Sequence, residues 1–270
     1  MSQIPNLIGF KSSMESWIQL RKILTIITVT AYDHARLKTT IGSICDEFVN
    51  LEHLLVTPME DGLSREIALA YKSRIGHSVR IFHDTGKGIY HAMNLGASNA
   101  RGDYITFWNS GDFLNSSQNL TKIIASLAKS KAHWMITQEK PNKINKKILD
   151  ESQLFGFITH KKGTFISHQN IFVKRTKFLE IGGFATNLKV AADFKQITQL
   201  SLGFKPQFLD ISAVGIEAPK YSAVNHRRGR IESYIISWSL LKKKMKFMAT
   251  VNIIRKEINY LTIRMWHKKK

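Results

Sequence analysis

An α/β fold built on a largely parallel sheet is what this sequence predicts, on two observations. Short apolar runs alternate with helical segments from residue 24 to about 130, the pattern of successive βαβ units wound right-handedly and typical of a nucleotide-binding half. The first run, Leu24 to Thr30 (LTIITVT), is a β-branched stretch of the kind buried on both faces of a parallel sheet.

The elements follow in order. Residues 1–22 are mixed and weakly periodic and are expected to form an N-terminal arm. Leu24–Thr30 leads into Ala31-Tyr32-Asp33 and a helix through about Cys45. Leu54–Thr57 is a second strand, followed by Glu60-Asp61-Gly62-Leu63-Ser64. An acid, a glycine and a serine expected as N-cap mark a strand-to-helix turn there. Val79–Phe82 is a third strand, with a turn hinged at Gly86 and Gly88 and a helix ending near Gly102. A fourth strand, Tyr104–Trp108, stops in Asn109-Ser110-Gly111-Asp112. From the residues alone this tip is either a β-turn rich in turn formers or a carboxylate placed where open α/β sheets bind ligands. Gln118–Lys129 reads as a helix, Trp134–Thr137 as a strand, and the Lys- and Asn-rich segment 140–163 as a long loop.

Composition narrows the class. The chain has 270 residues, 43% of them hydrophobic, enough for one core with an appendage. Forty Lys and Arg against twenty Asp and Glu give a net charge of +20, which implies an anionic partner. One cysteine, Cys45, rules out an internal disulfide and fits a reducing compartment. No run approaches the ~18 apolar residues of a membrane span, and the first residues lack the apolar core and cleavage site of a signal peptide. The glycines form neither G-x-G-x-x-G nor a P-loop, so dinucleotide binding and ATP hydrolysis lack their fingerprints.

The stretch KGIYHAMNLGASNARGDYITFWNSGDF resembles the central signature of the family 2 inverting glycosyltransferases of GT-A fold, particularly those that build bacterial exopolysaccharide, colanic acid or O-antigen. Lys87, Gly88, Ile89, Tyr90, Ala92, Met93, Asn94, Gly96, Gly102, Asn109, Ser110 and Asp112 match in order. Gly86, His91 and Gly111 depart, each standing where many members have Asp. A second block, from Phe165 to Leu200, matches at His168, Gln169, Phe172, Lys174, Gly183, Phe184, Lys189 and Asp193. The resemblance covers roughly residues 23–225.

The resemblance implies a Rossmann-like three-layer α/β/α domain over 23–220, with a nucleotide-binding half to residue 130 and an acceptor half beyond. It also implies roles. Tyr32 and Asp61 flank the base or ribose, and Lys87, Asn109 and Asp112 belong to the donor site. Asp112 holds Mg²⁺ or Mn²⁺, which commonly retain water and substrate phosphates as further ligands. His168 and Gln169 face the acceptor or diphosphate, and Asp193 is the general base. Inverting transfer requires such a base, because the acceptor hydroxyl loses its proton as the nucleotide diphosphate departs. The residues alone allow Asp193 to be simply a helix N-terminal carboxylate, and Tyr32 and His168 to be packing residues.

Beyond Pro219 the character changes. Leu241, Met245, Met248, Val251, Ile254, Ile258, Leu261 and Met265 follow helical spacing, and residues 242–270 hold ten Lys or Arg with one acid, Glu257. Residues 221–270 are expected to be a basic amphipathic tail, flanked by Trp238 and Trp266, whose part 231–270 meets an anionic membrane; packing on the catalytic domain is the other reading.

The function expected is transfer of a sugar from a nucleotide diphosphate sugar, UDP-linked, to a growing lipid-linked bacterial polysaccharide or lipopolysaccharide. The enzyme is expected in the cytoplasm, peripheral on the inner face of the cell membrane. Two other classes compete: a catalytically weak scaffold, suggested by Gly86, His91 and Gly111, and a basic nucleic-acid-binding protein. No nucleic acid is expected, because no recognised module is present and the charge gathers in the tail.

Overall fold

The computed structural model of the chain describes residues 21–44, 48–75, 78–138, 166–216, 225–251 and 254. Cys45, most of the arm, the loop 140–163 and the end of the tail with Ile258, Leu261, Met265 and Trp266 lie outside them.

Four strands form the parallel half of the central sheet: β1 (Leu24–Val29), β2 (Leu51–Pro58), β3 (Ser78–Asp84) and β4 (Tyr104–Asn109). They are joined through α1 (His34–Ser43), α2 (Gly62–Arg74) and α3 (Ile89–Asn99). After β5 (Phe113–Leu114) and α4 (Ser117–Lys129), the chain adds β6 (Trp134–Ile136), β7 (Ile171–Lys174), α5 (Arg175–Glu180), α6 (Ala192–Gly203), β8 (Gln207–Phe208) and β9 (Val214–Gly215). The sheet order is β3-β2-β1-β4-β7-β6-β8, with β7 antiparallel to both β4 and β6. β5 and β9 pair as a small second sheet.

Alternation along the strands sorts the core into two sides. Leu24 and Ile26 pack with Ile44 and with Leu120 and Ile123 of α4, while Ile27 and Val29 pack with Met93 and Ala97 of α3 and with Phe194 and Ile197 of α6. On the first side, α1 and α2 supply Leu37, Ile41, Ala68 and Tyr71 against Leu55 and Val79. The result is the expected three-layer α/β/α arrangement. The crossovers from β1 through β3 use one face, and the crossover to β4 uses the other. The strand order therefore reverses between β1 and β4, and in open α/β sheets the crevice beyond the carboxyl ends at that reversal receives ligands.

The two edges of the sheet differ in how their polar groups are paired. At the amino edge, fully buried Glu52 accepts from Thr25 Oγ1 (2.7 Å), Arg101 N (2.8 Å) and Arg80 (3.1 Å), and Gly102 N donates to Thr25 Oγ1. At the carboxyl edge, the buried atoms Thr30 Oγ1, Ser64 Oγ, Asn109 Oδ1 and Ser110 Oγ have no hydrogen-bond partner among the described residues. Buried polar atoms are normally paired, so these four mark the edge where a ligand would complete the bonding.

Several expected bounds move. β2 starts at Leu51, ahead of Leu54, α1 ends at Ser43, and β3 runs on to Asp84, which sets a carboxylate beside Pro58 of β2. Past the main sheet, α7 (His226–Leu240) packs on α6 and contributes Ile236 to the core. The chain turns extended at Leu241 and resumes a helix over 243–251. Tertiary packing divides the apolar positions there: Leu241 and Ala249 are buried, Met245 is partly buried, and Phe247, Met248, Val251 and Ile254 are exposed.

Candidate active site

The tips of β1, β2 and β4 hold the first group of predicted residues. Tyr32 follows β1 and is 64% exposed, with φ at 57°, a left-handed conformation that costs a non-glycine residue about 1–2 kcal/mol. Asp61 holds it there: Asp61 Oδ2 accepts Tyr32 N–H at 2.6 Å, while Oδ1 accepts Ser64 N–H at 3.1 Å and faces His34 Nε2 at 2.9 Å. Asp61, only 3% exposed, is thus the N-cap of α2, and Ser64 is not. Ser64 supplies a backbone amide three residues into the motif, the usual geometry for an aspartate cap. Burial works against the Asp61 charge, but the bonds from His34, Ser64 and Tyr32 outweigh it and hold the carboxyl well below its ordinary range.

The β4 tip is a tight turn closed by Asp112 N–H to Asn109 O (3.0 Å), with Gly111 at φ 100°. A positive φ at the third position is the type II arrangement that favours glycine, and Gly111 meets that requirement. Gly86 has the same kind of reason, with φ at 72° and its N–H on Asp84 Oδ1. Asp112, 2% exposed, accepts from Asn109 N (2.7 Å) and Gln169 Nε2 (3.0 Å), both at Oδ2. Burial pushes its carboxyl above the ordinary value, against the opposing pull of the Gln169 and Asn109 bonds.

The second group arrives from the other end of the chain. His168 and Gln169 form a short 3₁₀ turn immediately before β7, which the sheet places beside β4. His168 Nδ1 stands 3.3 Å from Asp193 Oδ2, and its Nε2 stands 3.3 Å from Asn109 Nδ2. The His168 ring therefore stands between the Asp193 carboxylate and the Asn109 amide. His168 and Gln169 thus bridge the β4 tip to Asp193 in the first turn of α6, joining residues separated by more than 80 positions. Asp193 does not cap that helix in the ordinary way. Among the described residues its Oδ1 accepts the neighbouring Phe194 N–H at 2.8 Å, and Oδ2 looks toward His168.

Lys87 is placed apart. It is exposed and lines a cleft of about 330 Å³ with Tyr90, His91, Thr186, Leu188 and Lys189, and among the described residues it makes no hydrogen bond to Asn109, Asp112 or Asp61. Two further residues of the first motif hold the second half of the domain. Asn94 exchanges a pair of bonds with the Phe184 backbone (2.8 and 2.9 Å), and Tyr90 OH donates to Val190 O at 2.6 Å. They latch α3 onto the loop that precedes Asp193. Burial, with the negative field of Asp193, holds the Tyr90 phenol protonated far above its ordinary range.

Sequence reasoning missed His34, Asp84 and Glu232. His34 was legible only as a helix-start residue, and Asp84 lay past the expected end of its strand. Glu232 carried no local signal. No group of three His, Cys, Asp or Glu side chains suited to a metal is present among the described residues, so a cation here would draw ligands from the substrate and from water as well as from the chain.

The family model for glycosyl transferase family 2 matches residues 25–191, from β1 to the residue before α6. The chain belongs to that family. It is 25% identical over 180 residues to a PGL/p-HBAD biosynthesis glycosyltransferase of Mycobacterium bovis, and equally to one from Mycobacterium tuberculosis. That match covers 64% of this chain and 65% of those relatives' own length. Among solved structures, S. aureus TarS 1-349 in complex with UDP superposes with TM-score 0.56 at 14% identity, covering 84% of this chain and 69% of that one. The mannosyltransferase PcManGT from Pyrobaculum calidifontis, in complex with GDP-Man and Mn²⁺, gives TM-score 0.57 at 16% identity over 86% of this chain and 70% of that one. These likenesses agree with the three-layer GT-A fold.

Proposed function

We propose that this chain is an inverting glycosyltransferase that moves a sugar from a nucleotide diphosphate sugar, UDP-linked, to a lipid-linked saccharide during synthesis of a bacterial surface polysaccharide or lipopolysaccharide. The observation that carries this reading is the bridge made by His168 and Gln169, which ties the β4 tip at Asn109 and Asp112 to Asp193. Family membership and the nucleotide-bound neighbours support it.

In this reading the nucleotide lies across the tips of β1 and β2, with Tyr32 against the base and Asp61 holding Tyr32 in place. The buried acceptor atoms of Thr30, Asn109 and Ser110 meet the donor or its hydration. A divalent cation held by Asp112 Oδ1 together with the donor's phosphates would neutralise charge on the departing diphosphate. Asp193 takes the proton of the acceptor hydroxyl as that oxygen bonds to the anomeric carbon. The bond from that carbon to the diphosphate breaks in the same in-line step, and the configuration inverts. His168, whose Nδ1 faces Asp193 Oδ2 at 3.3 Å, orients that carboxylate. Lys87 and the cleft it shares with His91 and Lys189 receive an anionic part of the acceptor or the diphosphate.

The acceptor's lipid places the enzyme at the inner face of the cell membrane, peripheral to it. Exposed Ile231, Tyr234, Ile235, Phe247, Met248 and Val251 beside Lys242, Lys243, Lys244 and Lys246 suit an anionic surface. No helix among the described residues is long and apolar enough to cross a membrane.

Calorimetric titration with UDP, GDP and their sugars, with and without Mn²⁺, tests the donor assignment. Binding to one nucleotide that needs the metal and is lost in Asp112→Ala is the expected result. Asp193→Asn should lose kcat by about 100-fold or more with donor binding retained, the behaviour of a removed general base. No binding to any nucleotide would favour the scaffold reading, and unchanged turnover in Asp193→Asn would remove Asp193 from the chemistry.

A further inference from the structure

The helix that carries Asp193 starts without a cap of its own. The residue at its N-cap is Ala191, whose side chain cannot accept a hydrogen bond, and helix starts leave several N–H groups unpaired unless something supplies an acceptor. An acceptor for the segment that leads into the helix, the N-cap amide of Ala191 included, comes from 41 residues further along the chain. Glu232, on α7, puts its carboxylate over three successive amides: Lys189 N (3.0 Å to Oε1, 3.2 Å to Oε2), Val190 N (2.9 Å to Oε2) and Ala191 N (3.0 Å to Oε2). Arg228 Nε, one helical turn earlier, donates to Oε1 at 3.0 Å. Glu232 is 7% exposed, so these are buried, charge-assisted bonds on a nest of backbone N–H groups.

The same short segment is held from the opposite side, where Val190 O accepts the Tyr90 hydroxyl at 2.6 Å. Residues 189–191 are therefore gripped between α3 and α7. Asp193 follows two residues later with Oδ2 aimed at His168. A carboxylate that anchors the start of α6 sets where the Asp193 carboxylate stands relative to His168 and the β4 tip. Neither residues 225–240 nor Glu232 falls inside the stretch matched by the family model, which ends at Ala191.

We infer that Glu232 is a positioning residue for the transfer: its carboxylate, seated on the amides of Lys189, Val190 and Ala191, fixes the segment that enters α6 and through it the place of Asp193. This rests on the reading of Asp193 as general base. It makes α7 part of the catalytic unit and not only an appendage. Glu232 touches no reacting atom. It acts on the orientation of the base and leaves the nucleotide side at the tips of β1, β2 and β4 as it was.

The test compares Glu232→Gln with wild type and with Asp193→Asn in the full chain. The glutamine keeps the shape but replaces one acceptor oxygen by an NH₂ facing N–H donors. The expected result is a fall in kcat of about 10- to 100-fold, the size associated with displacing a catalytic group without removing it. Donor KM and the calorimetric donor affinity stay unchanged, and hydrogen exchange accelerates at the amides of 189–191 but not in β1 or β4. If Asp193→Asn abolishes turnover while Glu232→Gln retains wild-type kcat, the positioning role is overturned and the base assignment stands. If donor affinity falls along with kcat, the residue merely supports the fold and the role is likewise overturned. Full turnover by Asp193→Asn would overturn the base assignment and this inference with it. Should Glu232→Gln fail to fold, Glu232→Asp takes its place, with the shorter carboxylate expected to give an intermediate loss of kcat at unchanged donor affinity.

Discussion

Asp61→Asn probes the link between a buried carboxylate and the shape of the β1 loop. In the wild type, two oxygens serve three donors: Tyr32 N–H, Ser64 N–H and His34 Nε2. Asparagine keeps one oxygen, so at least one backbone N–H meets an NH₂ group in a site only 3% exposed. Losing a charge-assisted bond there costs about 1.5–3 kcal/mol, and weakening the α2 cap adds about 1 kcal/mol. Tyr32 then relaxes from its left-handed conformation and returns about 1 kcal/mol. The net expectation is a loss of about 1.5–3 kcal/mol. It is measured as a lower denaturant midpoint at unchanged slope, together with weaker nucleotide binding as Tyr32 leaves its place. The pH dependence follows from the sign of the shift. The Asp61 carboxyl is held below its ordinary value in the fold, so its contribution is complete above that ordinary value and is lost as the pH falls through the folded one. The gap between wild type and Asp61→Asn should be constant from pH 6 to 8 and narrow below about pH 4. A gap under about 0.5 kcal/mol at pH 7, or one that widens in acid, would show that Asp61 does not tether Tyr32 through its charge.

Three further expectations are independent of that one. Glu52→Gln breaks the buried cluster with Arg80 and Thr25 at the opposite edge of the sheet and should cost about 2–4 kcal/mol with nucleotide affinity unchanged by calorimetry; a parallel loss of binding would show that the two edges are coupled. Asn94→Ala removes both bonds to the Phe184 backbone, which should cost about 2–3 kcal/mol and lower kcat more than donor affinity, because the latch leads to Asp193. Replacing Lys242, Lys243, Lys244 and Lys246 by Gln should weaken sedimentation with anionic vesicles by about 100-fold or more, at about 1 kcal/mol per basic residue near such a surface; equal binding of the wild type to neutral vesicles would count against an electrostatic membrane contact.

Much of this protein was legible in its residues. LTIITVT announced a covered strand, and the alternation of runs announced the parallel half of the sheet, because side-chain period reports directly which positions are buried. The Asn109–Asp112 tip was recognisable for a similar local reason: a polar turn that ends a buried strand must lie at the sheet edge. Element ends were less secure. Packing carried β3 on to Asp84 and ended α1 at Ser43, and such ends depend on neighbours more than on propensity.

Local patterning was enough for the fold class, the parallel strands and the position of Asp112 at their carboxyl edge, since each depends on residues close together in the chain. What those residues touch depends on packing across the chain. The sheet order that sets β7 beside β4 brings His168 to Asn109 and Gln169 to Asp112. The packing of α2 beside the β1 loop makes Asp61 a tether for Tyr32, and the docking of α7 seats Glu232 on the amides ahead of Asp193. These pairings join positions tens of residues apart, and no periodicity or spacing encodes them; they exist only once the hydrophobic faces have chosen their partners and brought the polar groups within hydrogen-bonding distance.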